Sequence, residues 1–507
     1  MHRRDLLRFL SLSALAGATG RAYAAGAPAP FGQLPSAGFT PDVEFTLAAA
    51  SGEASILTGA PTSVWRFTGQ VTKGPATTLQ VLPGSYLGPV IHVRRGQKVR
   101  IRFRNQLAES SIVHWHGLDV PELADGHPRF AVGPGRDYVY EFEVINRAGT
   151  YWYHPHPHMR TGAQVYRGLA GLFIVHDAEE DALGLPSGSA EHLCVLQDRL
   201  FDARNQLVFR GDNMMEMTNG FLGDRVMVSG RPQPVIDVDA GWQRIRLLNG
   251  SNARIYKLAW SRDVKMTLIG GDGGLMEQPV RQSVLTLAPG QRADLLVDLT
   301  GIAAGTDLHL DSQAYPEADA GVVGMMGMGR GMGGAANGAP LRVMTLRTRA
   351  RAGVAFSVPG RLSTFDATWT AGAGARIRQV PIVFQRMEWL LGGRTFEMTQ
   401  VAPEETVAAG STHVWEFMNL PNGMGMQAAH PIHMHGRQFR VLQRSGAANN
   451  ALREGLADGG WRDVVLVLPG ETVRVQATFS SFPGLYLYHC HILEHEDMGM
   501  MRNFRIT

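Results

Sequence analysis

One stretch near the C-terminal end constrains this chain more than any other: Tyr488-His489-Cys490-His491-Ile492-Leu493-Glu494-His495-Glu496-Asp497-Met498-Gly499-Met500. In extended backbone, successive side chains point to opposite faces. Cys490 therefore faces one way, and His489 and His491 face the other. A single strand can then serve two metal sites set back to back. Thiolate, imidazole and thioether donors together suit copper, in particular a blue-copper type of site. A buried cysteine beside one surface histidine would call for no metal. This density of ligand types in one short segment does.

Three further clusters extend the pattern. They are His114-Trp115-His116, His154-Pro155-His156 with His158 trailing, and His430-Pro431-Ile432-His433-Met434-His435. Each contains histidines at i and i+2, which project from one face of an extended segment. Two imidazoles from one strand make half of a metal shell. A lone pair would read as exposed strand histidines, but the four clusters together take eleven of the 18 histidines. His114, His116, His154 and His156 come from one end of the chain, and His433, His435, His489 and His491 from the other. Eight histidines from two domains can build a multinuclear cluster at the interface between them. Cys490, His430, His495 and one methionine are left for a separate mononuclear site. His158 shares the parity of His154 and His156, so spacing alone leaves it open.

The scaffold follows from length and pattern. A chain of 507 residues implies about three domains. The 60 glycines and 27 prolines suit loop-rich β architecture more than long helices. Val99, Ile101 and Phe103 alternate with Arg100, Arg102 and Arg104, the signature of a half-buried strand with a solvated arginine face. Residues 176–190 are polar and read as a linker. The second β-rich unit contains no paired histidines, and its Cys194 sits in an apolar run as a small hydrophobe. Two cysteines in all exclude a disulfide framework.

The N-terminus reads as an address. His2-Arg3-Arg4-Asp5-Leu6-Leu7 precedes a short apolar run, and Ala22-Tyr23-Ala24 fits a cleavage site. The paired arginines point to the twin-arginine export machinery and a periplasmic destination, with residues 1–24 removed and no membrane insertion after processing. The remaining chain carries 44 basic and 44 acidic residues, so no basic field recruits nucleic acid or anionic lipid.

The patterns HxHG, HxH, HPxHxH and HCHxxxHxxxxM are all present, supported by Leu247-Leu248-Asn249-Gly250-Ser251-Asn252-Ala253-Arg254, Gly271-Asp272-Gly273-Gly274-Leu275 and Trp461-Arg462-Asp463. With them the sequence resembles a three-domain multicopper oxidase of the laccase-like group, nearest the bacterial periplasmic cuprous oxidases. The resemblance implies an all-β chain of three cupredoxin-like Greek-key β-sandwich domains, expected at 40–178, 190–350 and 362–507. It implies four copper ions. His430, Cys490, His495 and Met500 would hold type 1 copper, and His114 and His433 type 2. His116, His154 and His491 would hold one type 3 ion, and His156, His435 and His489 the other. His158 falls outside that ligand set. The implied reaction couples one-electron oxidation of a substrate to four-electron reduction of O2 to water. Asp125 and Glu496 align with acids that the family places near the cluster and suit proton delivery, ahead of Asp119 and Glu122.

The reductant is expected to be Cu(I), in periplasmic copper detoxification and homeostasis. A Gly/Met-rich loop at 321–334 carries Met325, Met326, Met328 and Met332, and Met424 and Met426 lie shortly before His430. Thioethers select Cu(I). Met214-Met215-Glu216-Met217 adds soft donors. The loop is short and lacks histidines, and Met426 stands where the best-known enterobacterial relative carries an acid. This keeps open a laccase- or bilirubin-oxidase-like site for small phenols or pigments. A copper-sequestering protein without turnover is the alternative of another class, and the complete cluster ligand set argues against it.

Overall fold

The computed structural model describes residues 33–211, 213–320, 334–364, 377–419, 421, 427–479 and 482–507. The signal-like segment 1–24 and Met325, Met326, Met328, Met332, Met424 and Met426 lie outside these residues. The described chain is built of strands with only a few short helices, arranged in six sheets. The expected all-β class holds. No described helix is long and apolar enough to cross a membrane.

The sheets come in three pairs along the chain. The first pair joins Thr62–Lys73, Val43–Ala54, Lys98–Asn105 and Asp137–Glu143 in one sheet, and places Val90–Arg94, Gly171–His176, Gly149–Pro155 and Val113–His116 side by side in the other. The middle pair has seven and five strands. The last pair has five strands in each sheet, and one of these orders Met501–Ile506, Gly484–Cys490, His430–Met434 and Val464–Val467.

Alternation explains the first core. Along Lys98–Asn105, Val99, Ile101 and Phe103 turn inward and are fully buried with Phe45, Leu47 and Trp115. Each such side chain contributes roughly 1.5–3 kcal/mol relative to exposure. The arginine face is less solvated than the alternation implies. Arg100 is mostly covered and donates to Glu141 at 2.6 Å, whereas Arg102 and Arg104 remain open. Cys194 packs in the middle core among Leu196, Ile245 and Leu247.

The polar stretch 176–190, read as a domain linker, is anchored at its start. Asp177 caps the short helix Ala178–Ala182 by accepting from the Glu180 amide. Glu180 is buried, and one of its oxygens accepts from both Arg244 and Arg246, each at 2.7 Å. Two buried guanidiniums require a buried carboxylate, so this part of the connection packs inside.

Candidate metal centre

Register places the histidines before any metal is considered. In the first pair of sheets, Val113–His116 lies antiparallel to Gly149–Pro155 with His114 opposite His154. In the last pair, His430–Met434 lies antiparallel to Gly484–Cys490, with His433 opposite His489 and Ile432 opposite Cys490. Strand alternation then puts His433, His435, His489 and His491 on one side and Cys490 and His430 on the other.

The two halves meet. The His114 ring stacks on His435 and the His116 ring on His433, each at 3.7 Å between centroids. All eight histidines are fully buried. Donor atoms of His114, His433 and His435 converge within 4.8 Å, as do those of His156, His435 and His489. The His491 ring lies 4.9 Å from that of His116 and 5.5 Å from that of His154.

Hydrogen bonds decide which ring nitrogen is free. A carbonyl only accepts, so a ring nitrogen bonded to one must carry the proton. His114 Nδ1 donates to the Asp125 carbonyl at 2.6 Å, and His433 Nδ1 to the Asp463 carbonyl at 2.8 Å. Their Nε2 atoms, both then lone pairs, face each other at 3.3 Å. His489 Nδ1 donates to the Cys490 carbonyl, and its Nε2 lies 3.0 Å from Nε2 of His435 and 3.4 Å from Nε2 of His156. His154 donates through Nδ1 to the Pro155 carbonyl, and its Nε2 is buried without a partner. His116 Nδ1 and both nitrogens of His491 are likewise buried and unpartnered. Lone pairs crowded together in a buried site repel unless a cation lies among them. Burial also holds these imidazoles well below their ordinary pKa, with His154 at about 3 and His489 at about 4. The donor set therefore fits copper ions, which bind neutral imidazole.

On the other face, Cys490 Sγ lies 3.5 Å from His430 Nδ1 and 3.6 Å from His495 Nδ1. His495 Nε2 donates to the Thr218 carbonyl at 2.9 Å, so its Nδ1 is the free donor. Met500 is fully buried in the same apolar cluster, with Trp389 and Phe504, and its carbonyl accepts from the Cys490 amide. Burial pushes the Cys490 thiol far above its ordinary range.

Two buried carboxylates border the histidine cluster. Asp125 accepts from His435 Nδ1 at 2.8 Å. Glu496 lies 3.4 Å from His156 Nε2 and 3.3 Å from His489 Nδ1. Burial raises both acids well above the usual carboxylate range, helped at Glu496 by Asp497 and at Asp125 by Glu122 and Asp119. Asp119 and Glu122 are instead tied to Arg437 and Arg129. The ring contact of His158 is with Phe396.

Sequence reasoning missed the bracket that joins the halves. Arg292, from the middle pair of sheets, is fully buried. It donates to the Thr150 carbonyl at 3.0 Å and to both oxygens of Asp463, and Asp463 Oδ1 accepts from His116 Nε2 at 3.0 Å. Glu494 and Asp497 also escaped notice. Glu494 accepts from Asn252 and from the Phe221 amide, and Asp497 from the amides of Thr161 and Gly162. They pin the short helix that carries His495. The only signal was their spacing around His495.

Comparison with known proteins agrees with this geometry. Residues 64–180 and 378–507 each match a family described as multicopper oxidase. A multicopper oxidase of Staphylococcus aureus is 29% identical, over 84% of this chain and 83% of its own length. Bilirubin oxidase of Albifimbria verrucaria is 30% identical, over 83% of this chain and 71% of its own length. The crystal structure of the McoA multicopper oxidase from Aquifex aeolicus superposes with a TM-score of 0.78 at 33% identity, covering 92% of this chain and 97% of that one. Crowded imidazole lone pairs, a cysteine–histidine pocket behind the same strand and these relatives lead to one conclusion: the chain belongs to the multicopper oxidases, oxidoreductases that use copper, four ions in the family's standard complement, to pass electrons from a reductant to O2.

Proposed function

We propose that this chain is a periplasmic cuprous oxidase, exported by the twin-arginine route, that removes Cu(I) by oxidising it at the expense of O2. The domains run over 40–178, 190–350 and 362–507. His430, Cys490, His495 and Met500 hold type 1 copper. His114 and His433 hold type 2, and the sets His116/His154/His491 and His156/His435/His489 hold the type 3 pair. When bound, copper supplies one-electron acceptance at the first site and multi-electron O2 reduction at the second. Cys490 is covalently continuous with His489 and His491, which gives electrons a short path through one strand. Asp125 holds the proton of His435 Nδ1. Glu496, kept protonated by burial, is a proton donor beside His156 and His489.

The observation that carries the Cu(I) reading is the surface above His495. Met214 and Met215 are exposed, at 57% and 37%, on the short helix Met214–Asn219. The Thr218 carbonyl of that helix accepts from His495 Nε2 and, at 3.0 Å, from Trp389 Nε1. Exposed thioethers thus sit one short helix away from the thiolate pocket, and thioethers select Cu(I). The bilirubin oxidase relative supports a pigment, and a laccase-like structural neighbour with oxidase activity towards lignin model compounds supports phenols, as a second class of reductant. O2 uptake driven by Cu(I) and by a phenol, in the wild type, in Met214→Leu/Met215→Leu and in a deletion of 321–334, separates the two. Cu(I) turnover falls in the variants while phenol turnover holds. Unchanged Cu(I) kinetics in both would overturn the reading.

A further inference from the structure

A second pair of facing imidazoles lies outside the copper sites. His92 is on the strand Val90–Arg94 and His176 on Gly171–His176, which run parallel with Ile174 opposite His92 and His176 opposite Arg94. The two histidines are therefore diagonal neighbours on one face. Their rings are nearly parallel, 5.5 Å apart, and His92 Nδ1 lies 3.2 Å from His176 Nε2. Both are half-buried at the wall of a cavity of about 720 Å³ that also borders Gln80, Arg94 and Gln97.

The outer nitrogens determine what the inner ones are. His176 Nδ1 lies 3.1 Å from Glu180 Oε2. Burial alone would raise the Glu180 carboxyl. The His176 hydrogen bond and the guanidiniums of Arg246 and Arg244 overcome that and keep it ionised far below its usual range. An ionised carboxylate only accepts, so the proton of His176 is on Nδ1. His92 Nε2 lies 2.8 Å from Gln80 Oε1, an amide oxygen that also only accepts. Both inward nitrogens, His92 Nδ1 and His176 Nε2, are then bare lone pairs in contact. A proton shared between them would relieve the repulsion. However, burial and the neighbouring His176 hold His92 down at about 4, so His92 does not take up that proton at neutral pH.

We propose that His92 Nδ1 and His176 Nε2 are the two protein ligands of a further, exchangeable site for a divalent first-row metal ion, with copper(II) the tightest and zinc(II) also accepted. Two imidazole nitrogens on one tetrahedral ion at ordinary metal–nitrogen lengths stand about 3.3 Å apart, and the observed gap is 3.2 Å. Each ligand has the outer acceptor that metal-bound histidines require, Glu180 for one and Gln80 for the other. The adjoining cavity leaves space for water in the remaining positions. Through Glu180 the site is joined to Arg244 and Arg246 of the following sheet pair.

The test uses the copper-loaded enzyme and zinc(II) as the probe, by equilibrium dialysis and titration calorimetry near neutral pH. Wild type takes up one zinc(II) more than His92→Gln or His176→Gln, both judged on protein that keeps its blue absorption. A third variant guards against misfolding. Gln80→Glu, at an exposed position, keeps both donors and replaces an amide that can turn over by a carboxylate that can only accept. It tightens zinc(II) binding severalfold. Equal zinc(II) uptake by wild type and both glutamine variants overturns the proposal, because the pair is then satisfied by an ordinary hydrogen bond with the Gln80 amide reversed. Unchanged or weaker binding in Gln80→Glu overturns it as well.

Discussion

The thiolate pocket and the eight-histidine cluster occupy opposite faces of one strand, yet they are built on different principles. The pocket of Cys490, His430 and His495 belongs to a single domain and borders an apolar cluster that includes Trp389, Ile432, Met500 and Phe504, and among the described residues no carboxylate is hydrogen-bonded to its donors. The cluster is shared by two domains, and Asp125, Glu496 and Asp463 face its imidazoles. On the proposed roles, a site that only passes electrons can be dry and apolar, whereas a site where O2 takes up protons needs acids within reach, and placing them in the interior requires compensating charge such as Arg292.

That contrast can be broken most completely at Cys490. Cys490→Ser removes the only thiolate of the pocket, so blue absorption and substrate-driven turnover are abolished while the eight histidines still load copper, as metal analysis and optical spectra will show. Arg292→Leu acts on the other side. It leaves Asp463 buried without its guanidinium, a change that costs about 3–5 kcal/mol. Denaturant unfolding reads that loss, and copper stoichiometry falls at the cluster while the blue band survives. Glu496→Gln keeps the shape and removes the proton. O2 reduction slows roughly a hundredfold with the blue band intact, and loss of that band would assign Glu496 a structural role. The last contrast concerns pH. Burial keeps His489 and His495 at about 4 and His154 at about 3, so these imidazoles are already neutral in mildly acidic solution. The buried Cys490 thiol stays protonated and must lose its proton to bind. Copper affinity of the pocket therefore falls about tenfold for each pH unit lost, while that of the cluster stays flat. Competition titrations from pH 5.5 to 8 check the two slopes.

Much of the cluster was legible in the chain because strand parity is a local property. His114/His116, His154/His156, His433/His435 and His489/His491 are each two residues apart, and extended backbone alone sends both members to one face. The blank second unit was legible for the same reason, since it has no such pair. Its contribution was not legible, because Arg292 reads in sequence as one arginine among many. Its partners Thr150 and Asp463 are 142 and 171 residues away. Glu180 reads in sequence as one acid of a polar linker, and the approach of Arg244 and Arg246 makes it a buried anchor.

By itself, the sequence determined the strand scaffold, the division of donors between two faces of Tyr488–Met500, and hence the kind of metal chemistry. Those follow from alternation and ligand softness, which neighbouring residues set. Tertiary structure decided how the two halves dock, which ring nitrogen of each histidine is left bare, and which carboxyls are buried deeply enough to keep a proton. It also decided that His92 and His176, 84 positions apart, meet ring nitrogen to ring nitrogen at 3.2 Å. These depend on hydrogen-bond partners and desolvation, which arise only when distant strands pack together.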